Sequence, residues 1–249
     1  MKGVAIGSVT GNADVRIRKS QAKLNMSGKE TAVVGTLGGE STEILIKDAI
    51  VTINTTGYRC TKVDIKNGRK YIFMDKNSPI YLVRPTIELK EQALEYRNEH
   101  FLSGENIING SELLDQTENY EEWLAAVTAN TNKESVNENW VVTDTFFAIR
   151  KSDNKIIGII DLRHTLNDFL KDFGNCGYSV RPSERGKGYA TEMLRQIIGI
   201  AKKAGLSELH LSVERSNKAS INVIQSNGGV YERSFTYESE LADIYRIEI

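Results

Sequence analysis

The chain has 249 residues, enough for one large domain or two smaller ones. Its 32 basic and 33 acidic residues nearly cancel, which argues against a dedicated nucleic-acid or membrane-surface protein. No apolar run approaches the ~20 residues of a membrane helix, and Met1-Lys2-Gly3-Val4 lacks a signal peptide's apolar stretch, so a cytoplasmic location is expected. Cys60 and Cys176 stand alone without metal-type spacing and read as small, semi-buried thiols; no metal is expected.

The first ~70 residues repeat themselves. Val4-Ala5-Ile6-Gly7-Ser8 returns as Ala32-Val33-Val34-Gly35-Thr36, at an offset of 28 residues. Asp14 to Arg18 returns as Glu43 to Lys47, and Ala22 to Gly28 as Val51 to Gly57, both at 29. A partial third copy begins at Lys62-Val63-Asp64-Ile65-Lys66. Each unit holds about three short strands with apolar residues at alternate positions, such as Val15 and Ile17. A period near 28 resembles the coils of a β-solenoid; a small β-sandwich is the alternative. Two and a fraction coils fall short of the ~3 usually needed. The first strand begins almost at Met1, so that edge is expected to be exposed, covered by another subunit, or the remnant of a longer stack.

Asn67-Gly68 and Asn77-Ser78-Pro79 mark a connecting region, which puts a boundary between residues 1–79 and 80–249. Tyr81 to Pro85 reads as the first strand of the second domain, and Thr86 as the cap of a helix running to about Phe101. A second helix is expected from Tyr120 to Asn130, with Trp123, Leu124 and Val127 on one side. Thr143 to Arg150 and Ile156 to Leu162 flank Ser152-Asp153-Asn154 and predict a hairpin. The stretches 104–119 and 129–139 read as long polar loops.

Gly177-Tyr178-Ser179-Val180 predicts a short strand, which Arg181-Pro182 leaves. Met193, Leu194, Ile197, Ile198 and Ala201 recur at helical spacing from Ala190 to Ala204, and Gly205 stops that helix. Between them lies Arg185-Gly186-Lys187-Gly188-Tyr189-Ala190. Two glycines let the backbone approach a ligand, and the amides at a helix start suit a phosphate. A P-loop would need Gly at 181 and Ser or Thr at 188, where the chain has Arg181 and Gly188. A Rossmann turn from Gly186 would need Gly or Ala at 191, which is Thr191.

Downstream, Leu209, Leu211 and Val213 alternate in a half-buried strand. Asn217 then caps a helix that ends at Asn227-Gly228-Gly229. Tyr231 to Phe235 and Asp243 to Ile249 are the closing strands. The Arg-x-x-Gly-x-Ala pattern of 185–190, with Asn217 after a strand and the small Ser220 three later, resembles the GNAT family of N-acetyltransferases. The similarity covers roughly Tyr81 to Ile249. It implies an α+β fold with a mixed, splayed sheet flanked by helices, preceded here by the small all-β, solenoid-like region.

The resemblance also implies acetyl-CoA as co-substrate. Its pyrophosphate would meet the amides of Gly186, Lys187, Gly188, Tyr189 and Ala190, with Arg185 nearby. The pantetheine arm would run along Tyr178, Ser179 and Val180, with an N–H near Val180 polarising the thioester. Asn217 would contact the coenzyme or hold its helix in place. Two positions depart from the family: Asn175 stands where many members carry an acid, and Ile224 where the usual Tyr would protonate the thiolate.

Neutralising an alkyl ammonium costs ~4–5 kcal/mol at pH 7, so a base is needed. His164 follows the hairpin strand and is the leading replacement. Tyr178 is a candidate donor to the thiolate, or a packing ring. Glu214 reads as a solvated strand-end carboxylate, His100 and His210 as structural, and Asp161 as a partner of Arg163 or of solvent. The expected reaction is acetyl transfer to an amine of a small molecule or a peptide, without nucleic acid or membrane and with homo-oligomerisation through the N-terminal sheet edge left open. Two alternatives stand beside it: a non-catalytic acyl-CoA-binding module, and an assembly protein using the solenoid edge.

Overall fold

The computed structural model describes residues 78–236 and 240–249 with their side chains, Tyr237 by its backbone, and eight strand segments between Val4 and Phe73 by backbone alone. Cys60, the Asn67-Gly68 turn, Asn77 and the region around Met1 lie outside the described residues. The chain divides into two compact units, Met1–Arg84 and Pro85–Ile249, with the strand at Ile80–Val83 falling in the first. Among the described residues no helix is long and apolar enough to cross a membrane.

In the first unit, β1 (Val4–Val9), β3 (Ala22–Ser27), β5 (Thr42–Lys47) and β7 (Thr61–Lys66) form one parallel sheet. β2 (Asp14–Arg18), β4 (Thr31–Gly38), β6 (Ile50–Thr55) and β8 (Arg69–Phe73) pair in parallel in another, and β9 (Ile80–Val83) joins β8 antiparallel. Successive strands therefore alternate between two sheets. Asp14 lies opposite Val33, Thr31 opposite Ile50, and Ile50 opposite Arg69, a stacking step of 19 residues. This corrects the expected three-strand coil. The 28-residue similarity relates β1 to β4, which lie in different sheets, and the stacked unit is a pair of strands.

The second unit opens with a 3-10 turn (Ile87–Leu89) leading into α1 (Lys90–Leu102). Thr86 precedes that turn in extended backbone, but its side chain makes no capping bond, so the expected cap is absent. α2 (Tyr120–Ala129) is capped by Asn119, whose Oδ1 accepts from the Glu121 amide at 2.9 Å, and it buries Tyr120, Trp123 and Val127. β10 (Thr143–Arg150) and β11 (Ile156–Arg163) form the expected hairpin, with Phe147 opposite Ile159 and Thr145 opposite Asp161. Seven of eight residues in each strand are buried, so both faces of this ribbon are covered. At its turn Arg150 grips Asp153 (2.7 Å), and Asn154 adopts φ 58, which its short polar side chain tolerates.

β12 (Tyr178–Val180) pairs antiparallel with β11, Ser179 opposite Ile159. α3 (Tyr189–Ala204) lays Met193, Leu194, Ile197, Ile200 and Ala201 into the core and ends at Gly205 in left-handed backbone, φ 89. β13 (Glu208–Glu214) buries Leu209, Leu211 and Val213. α4 (Lys218–Ser226), β14 (Val230–Tyr237) and β15 (Glu240–Glu248) complete the unit, with β15 central between β13 and β14.

β12 and β13 are edge strands of separate sheets that touch just before β12. The Asn175 amide donates to His210 O at 2.7 Å, and the Asn175 carboxamide closes the junction: Oδ1 accepts from the His210 amide (2.9 Å) while Nδ2 donates to Arg163 O (3.0 Å). Beyond this staple no ladder joins the two strands, which end their respective sheets.

Candidate active site

Backbone alternation decides which groups β12 turns away from β11. Asp161 N–H donates to Gly177 O and Arg181 N–H to Ile157 O, so odd-numbered residues from 177 to 181 face β11. The main-chain groups of Tyr178 and Val180 therefore point away from β11, as antiparallel pairing requires. Val180 O takes a bond from Arg185 Nε at 3.1 Å. Ser179 faces the other way, its Oγ donating to Asn109 O (3.0 Å) and its carbonyl accepting from Tyr96 Oη (3.0 Å).

After β12 the chain turns through a 3-10 segment (Pro182–Glu184) into α3. Gly186 and Gly188 both adopt left-handed backbone, φ 74 and φ 80, and a Cβ on either would meet nothing within 4 Å. Their φ, not a protein neighbour, calls for glycine. No side chain caps α3 at Gly188, so its first amides keep their hydrogen-bonding capacity and the positive end of the helix dipole. Gly186, Lys187 and Gly188 are exposed and Tyr189 and Ala190 half-buried, so the loop faces outward.

The two cations of this loop are already engaged. Arg185 makes two bonds to Glu105, Nη2 to Oε2 at 2.7 Å, and Lys187 Nζ bonds Glu184 Oε2 at 2.9 Å. The Arg185 bond, helped by His100, holds the Glu105 carboxyl down at about 2. His100 is fully buried, 2.8 Å from Glu105 and edge-on to Tyr96, and its burial lowers its proton affinity. Arg181 is also fully buried, bonded to Glu99 (2.7 Å) and Glu95 (3.1 Å) over the Tyr96 ring, and it ties the exit of β12 to α1.

Farther along the chain Asn217 caps α4, accepting the Ser220 amide at 3.0 Å. Tyr178 Oη reaches Ser220 O at 3.4 Å, so this ring bridges β12 and α4. Burial raises the Tyr178 hydroxyl well above its ordinary value, so it keeps its proton throughout the neutral range. Ile224 is buried in the core of α4 and offers no acid.

His164, just past β11, has Nε2 3.1 Å from Asp144 Oδ2 on β10, and its ring is a quarter exposed. The structure thus brings Tyr178 of β12 against Ser220 of α4, the helix that Asn217 caps, and sets His164 with Asp144 at the end of the hairpin. Glu214 is exposed, and His210 lies 3.6 Å from Glu232 and 3.7 Å from Glu208. Among the described residues no three His, Cys, Asp or Glu side chains cluster as a metal site.

The expected pairing of Asp161 with Arg163 is present, but sequence reasoning missed the buried polar centre it belongs to and the part of Glu112 in it. Asp161 is paired with Arg163 (2.7 Å) and accepts the Gly177 amide; Arg163 lies 3.5 Å from Glu112. Burial, followed by the Asp161 charge, raises Glu112 to about 7, and burial raises the Cys176 thiol. Only the Asp161–Arg163 spacing on one strand face signalled any of this; Glu112 sits in a polar loop with no periodicity to reveal it.

The sequence profile of the acetyltransferase (GNAT) domain matches residues 93–230. No curated protein sequence matches the chain. Among solved structures, the microcin C7 self-immunity acetyltransferase MccE, in complex with acetyl-CoA and AMP, aligns with a TM-score of 0.52 at 18% identity, covering 70% of this chain and 94% of that one. The ribosomal-protein-S5-alanine acetyltransferase from Vibrio fischeri gives 0.54 at 19%, covering 71% and 95%. A GNAT-family acetyltransferase from Bordetella pertussis gives 0.53 at 12%, covering 72% and 99%. At these identities the likeness is one of fold.

Proposed function

The chain belongs to the GNAT acetyltransferase family, and from that premise we propose that it transfers the acetyl group of acetyl-CoA to a primary amine by direct attack. One arrangement carries this reading: an edge strand whose Tyr178 and Val180 main chain faces away from its neighbour β11, followed at once by a left-handed Gly186–Gly188 turn and an uncapped helix start. The turn and first amides of α3, from Gly186 to Ala190, would receive the pyrophosphate, and β12 would pair with the pantetheine amides. Because Arg185 and Lys187 are held by Glu105 and Glu184, the backbone carries the phosphate contact.

In the reaction the amine nitrogen attacks the thioester carbonyl carbon, a C–N bond forms, and the C–S bond then breaks with the electron pair leaving on sulphur. The outward amide of Val180 would polarise the carbonyl oxygen. His164, oriented by Asp144, is the candidate base for the proton lost from nitrogen. Tyr178 holds its proton too firmly to yield it to a thiolate, whose conjugate acid lies near ~8.5, so it serves as a hydrogen-bond donor to the departing sulphur. Asn217 and Ser220 set the α4 wall against which Tyr178 rests. A small-molecule or peptide amine is the acceptor class, in keeping with the ribosomal-protein-S5-alanine acetyltransferase that shares the fold.

Asn175 and Ile224 favour a second reading, a module that binds acyl-CoA without turnover. Calorimetry with acetyl-CoA, followed by thiol release over a panel of polyamines, amino sugars and peptide N-termini, separates the two. Binding with release supports the enzyme; binding without release supports the module; no binding overturns both. For the first unit we read a solenoid-like stack, supported by its alternating parallel strands.

A further inference from the structure

Both tryptophans of the chain donate an indole N–H to Glu112. Trp123 Nε1 donates to Glu112 O at 3.0 Å and to Ser111 O at 2.9 Å, and Trp140 Nε1 donates to Glu112 Oε2 at 2.9 Å. Asn130 Nδ2 adds a bond to the same oxygen at 3.4 Å. Glu112 and Leu113 both adopt left-handed backbone, φ 48 and φ 68, an uncommon state for side-chain-bearing residues that persists where the surroundings over-determine it. The Glu112 side chain is 4% exposed, with Arg163 3.5 Å from its other oxygen. An exposed loop needs no such apparatus.

The loop bearing Glu112 is pressed onto β12. A Cβ on Gly110 would lie 2.1 Å from Gly177 O, so two backbones meet there, and Ser179 Oγ holds Asn109 O. The second connection is ionic: Glu112 to Arg163, Arg163 to Asp161, and Asp161 to the Gly177 amide. We infer that Glu112 is a positioning residue for the acyl-donor site, acting through Arg163 and Asp161 on the main chain at Gly177, immediately before β12. The inference rests on the reading of β12 as the strand that receives the donor.

Two carboxylates share one guanidinium here. When Glu112 is neutral, Arg163 belongs to Asp161, which keeps its hold on the Gly177 amide. When Glu112 is charged it competes for Arg163, and the anchor of β12 loosens. The charged or titratable groups facing this centre are Asp161 and Arg163 from β11 and Cys176 before β12; Asn130 and Trp140 face it as neutral donors. Asp115, on the same loop, is turned to Ser111 Oγ and the Ile108 amide. The donor therefore binds better with Glu112 neutral, and by linkage donor binding raises the proton affinity of Glu112.

The test is calorimetric titration of the full chain with acetyl-CoA at pH 6 and pH 8, for the wild type and Glu112→Gln. The amide fixes the neutral state, so the two Kd values agree within twofold at pH 6. At pH 8 the wild type binds at least threefold more weakly than the variant. Titration of the coenzyme's own phosphate affects both proteins alike. Parallel pH dependence in the two overturns the inference while leaving the coenzyme reading intact. Absence of binding in the wild type at either pH overturns that reading, and the inference with it. Should Glu112→Gln fail to fold by circular dichroism, Trp140→Phe decides instead. Losing one donor to the carboxylate moves the pH of weakening up by about half a unit or more, and an unmoved transition overturns the inference.

Discussion

Glu105, three residues past α1, holds Arg185 by two parallel hydrogen bonds at the approach to α3, with Nη2 to Oε2 at 2.7 Å. The residue expected to bring positive charge to the phosphate cradle is thus neutralised by a carboxylate of the same unit. Both side chains are partly exposed, at 47% and 33%, so water screens the pair and it contributes on the order of 0.2–1 kcal/mol. Glu105→Gln frees that charge for the coenzyme. Calorimetry is expected to show acetyl-CoA binding about two- to fivefold tighter, and weaker binding would mean that Glu105 serves by aiming Arg185 at Val180 O.

Gly188 makes the opposite case. Its φ of 80 costs a side-chain-bearing residue roughly 1–2 kcal/mol, although a methyl group there meets open space. Gly188→Ala is expected to lower stability by about that amount in urea denaturation. It should weaken acetyl-CoA by about tenfold, because the amides of the turn lose their shared direction. Arg185→Ala, which leaves the backbone alone, is expected to cost less than about threefold. Equal losses in the two variants would show that side-chain charge, not the turn, carries the phosphate contact.

The legible parts of this chain are those with local signals. The β10–β11 hairpin was marked by two apolar runs around Ser152-Asp153-Asn154, and α3 by its apolar spacing and Gly205. The Arg185-to-Ala190 pattern marked a glycine turn at the start of α3, which the structure builds with Gly186 and Gly188 in left-handed backbone. What sequence hid was long-range. Nothing near Arg185 announces Glu105, and nothing near Glu112 announces two tryptophans from other segments. The stacking step of 19 residues was masked because strands from opposite sheets look alike, both needing the same alternation. Asn175 reads as a missing acid in sequence, whereas in the fold its carboxamide needs both a donor and an acceptor to join Arg163 O to the His210 amide.

His164 and Asp144 give a kinetic prediction. Removing a positioned base costs typically 10²–10⁴-fold. With the best amine of the panel, His164→Ala is expected to lower kcat for thiol release by about a hundredfold, with acetyl-CoA affinity unchanged by calorimetry. Asp144→Asn, which keeps the ring's neighbour but removes its charge, is expected to cost about tenfold. Full activity in His164→Ala would assign the proton to solvent or to another group.

Two carboxyls push the pH dependence of stability in opposite directions. Glu105 is lowered from an ordinary value near 4.5 to about 2, by its bond from Arg185 above all, so the folded chain binds that proton more weakly than the unfolded one. Its contribution is present above pH 4.5 and is lost as pH falls toward 2. Glu112 is raised to about 7 by burial and by Asp161, so the folded chain binds that proton more tightly. Its contribution is full below pH 4.5 and is lost as pH rises from 4.5 to 7, when a buried carboxylate must ionise beside another. Glu112→Gln cannot ionise. Its Tm is expected to match the wild type at pH 5 and to exceed it at pH 8, where the buried charge costs the wild type about 2 kcal/mol, or ~4–8 °C. A constant difference between the two proteins from pH 5 to pH 8 would mean that Glu112 does not titrate in this range, and that Arg163 holds it charged throughout.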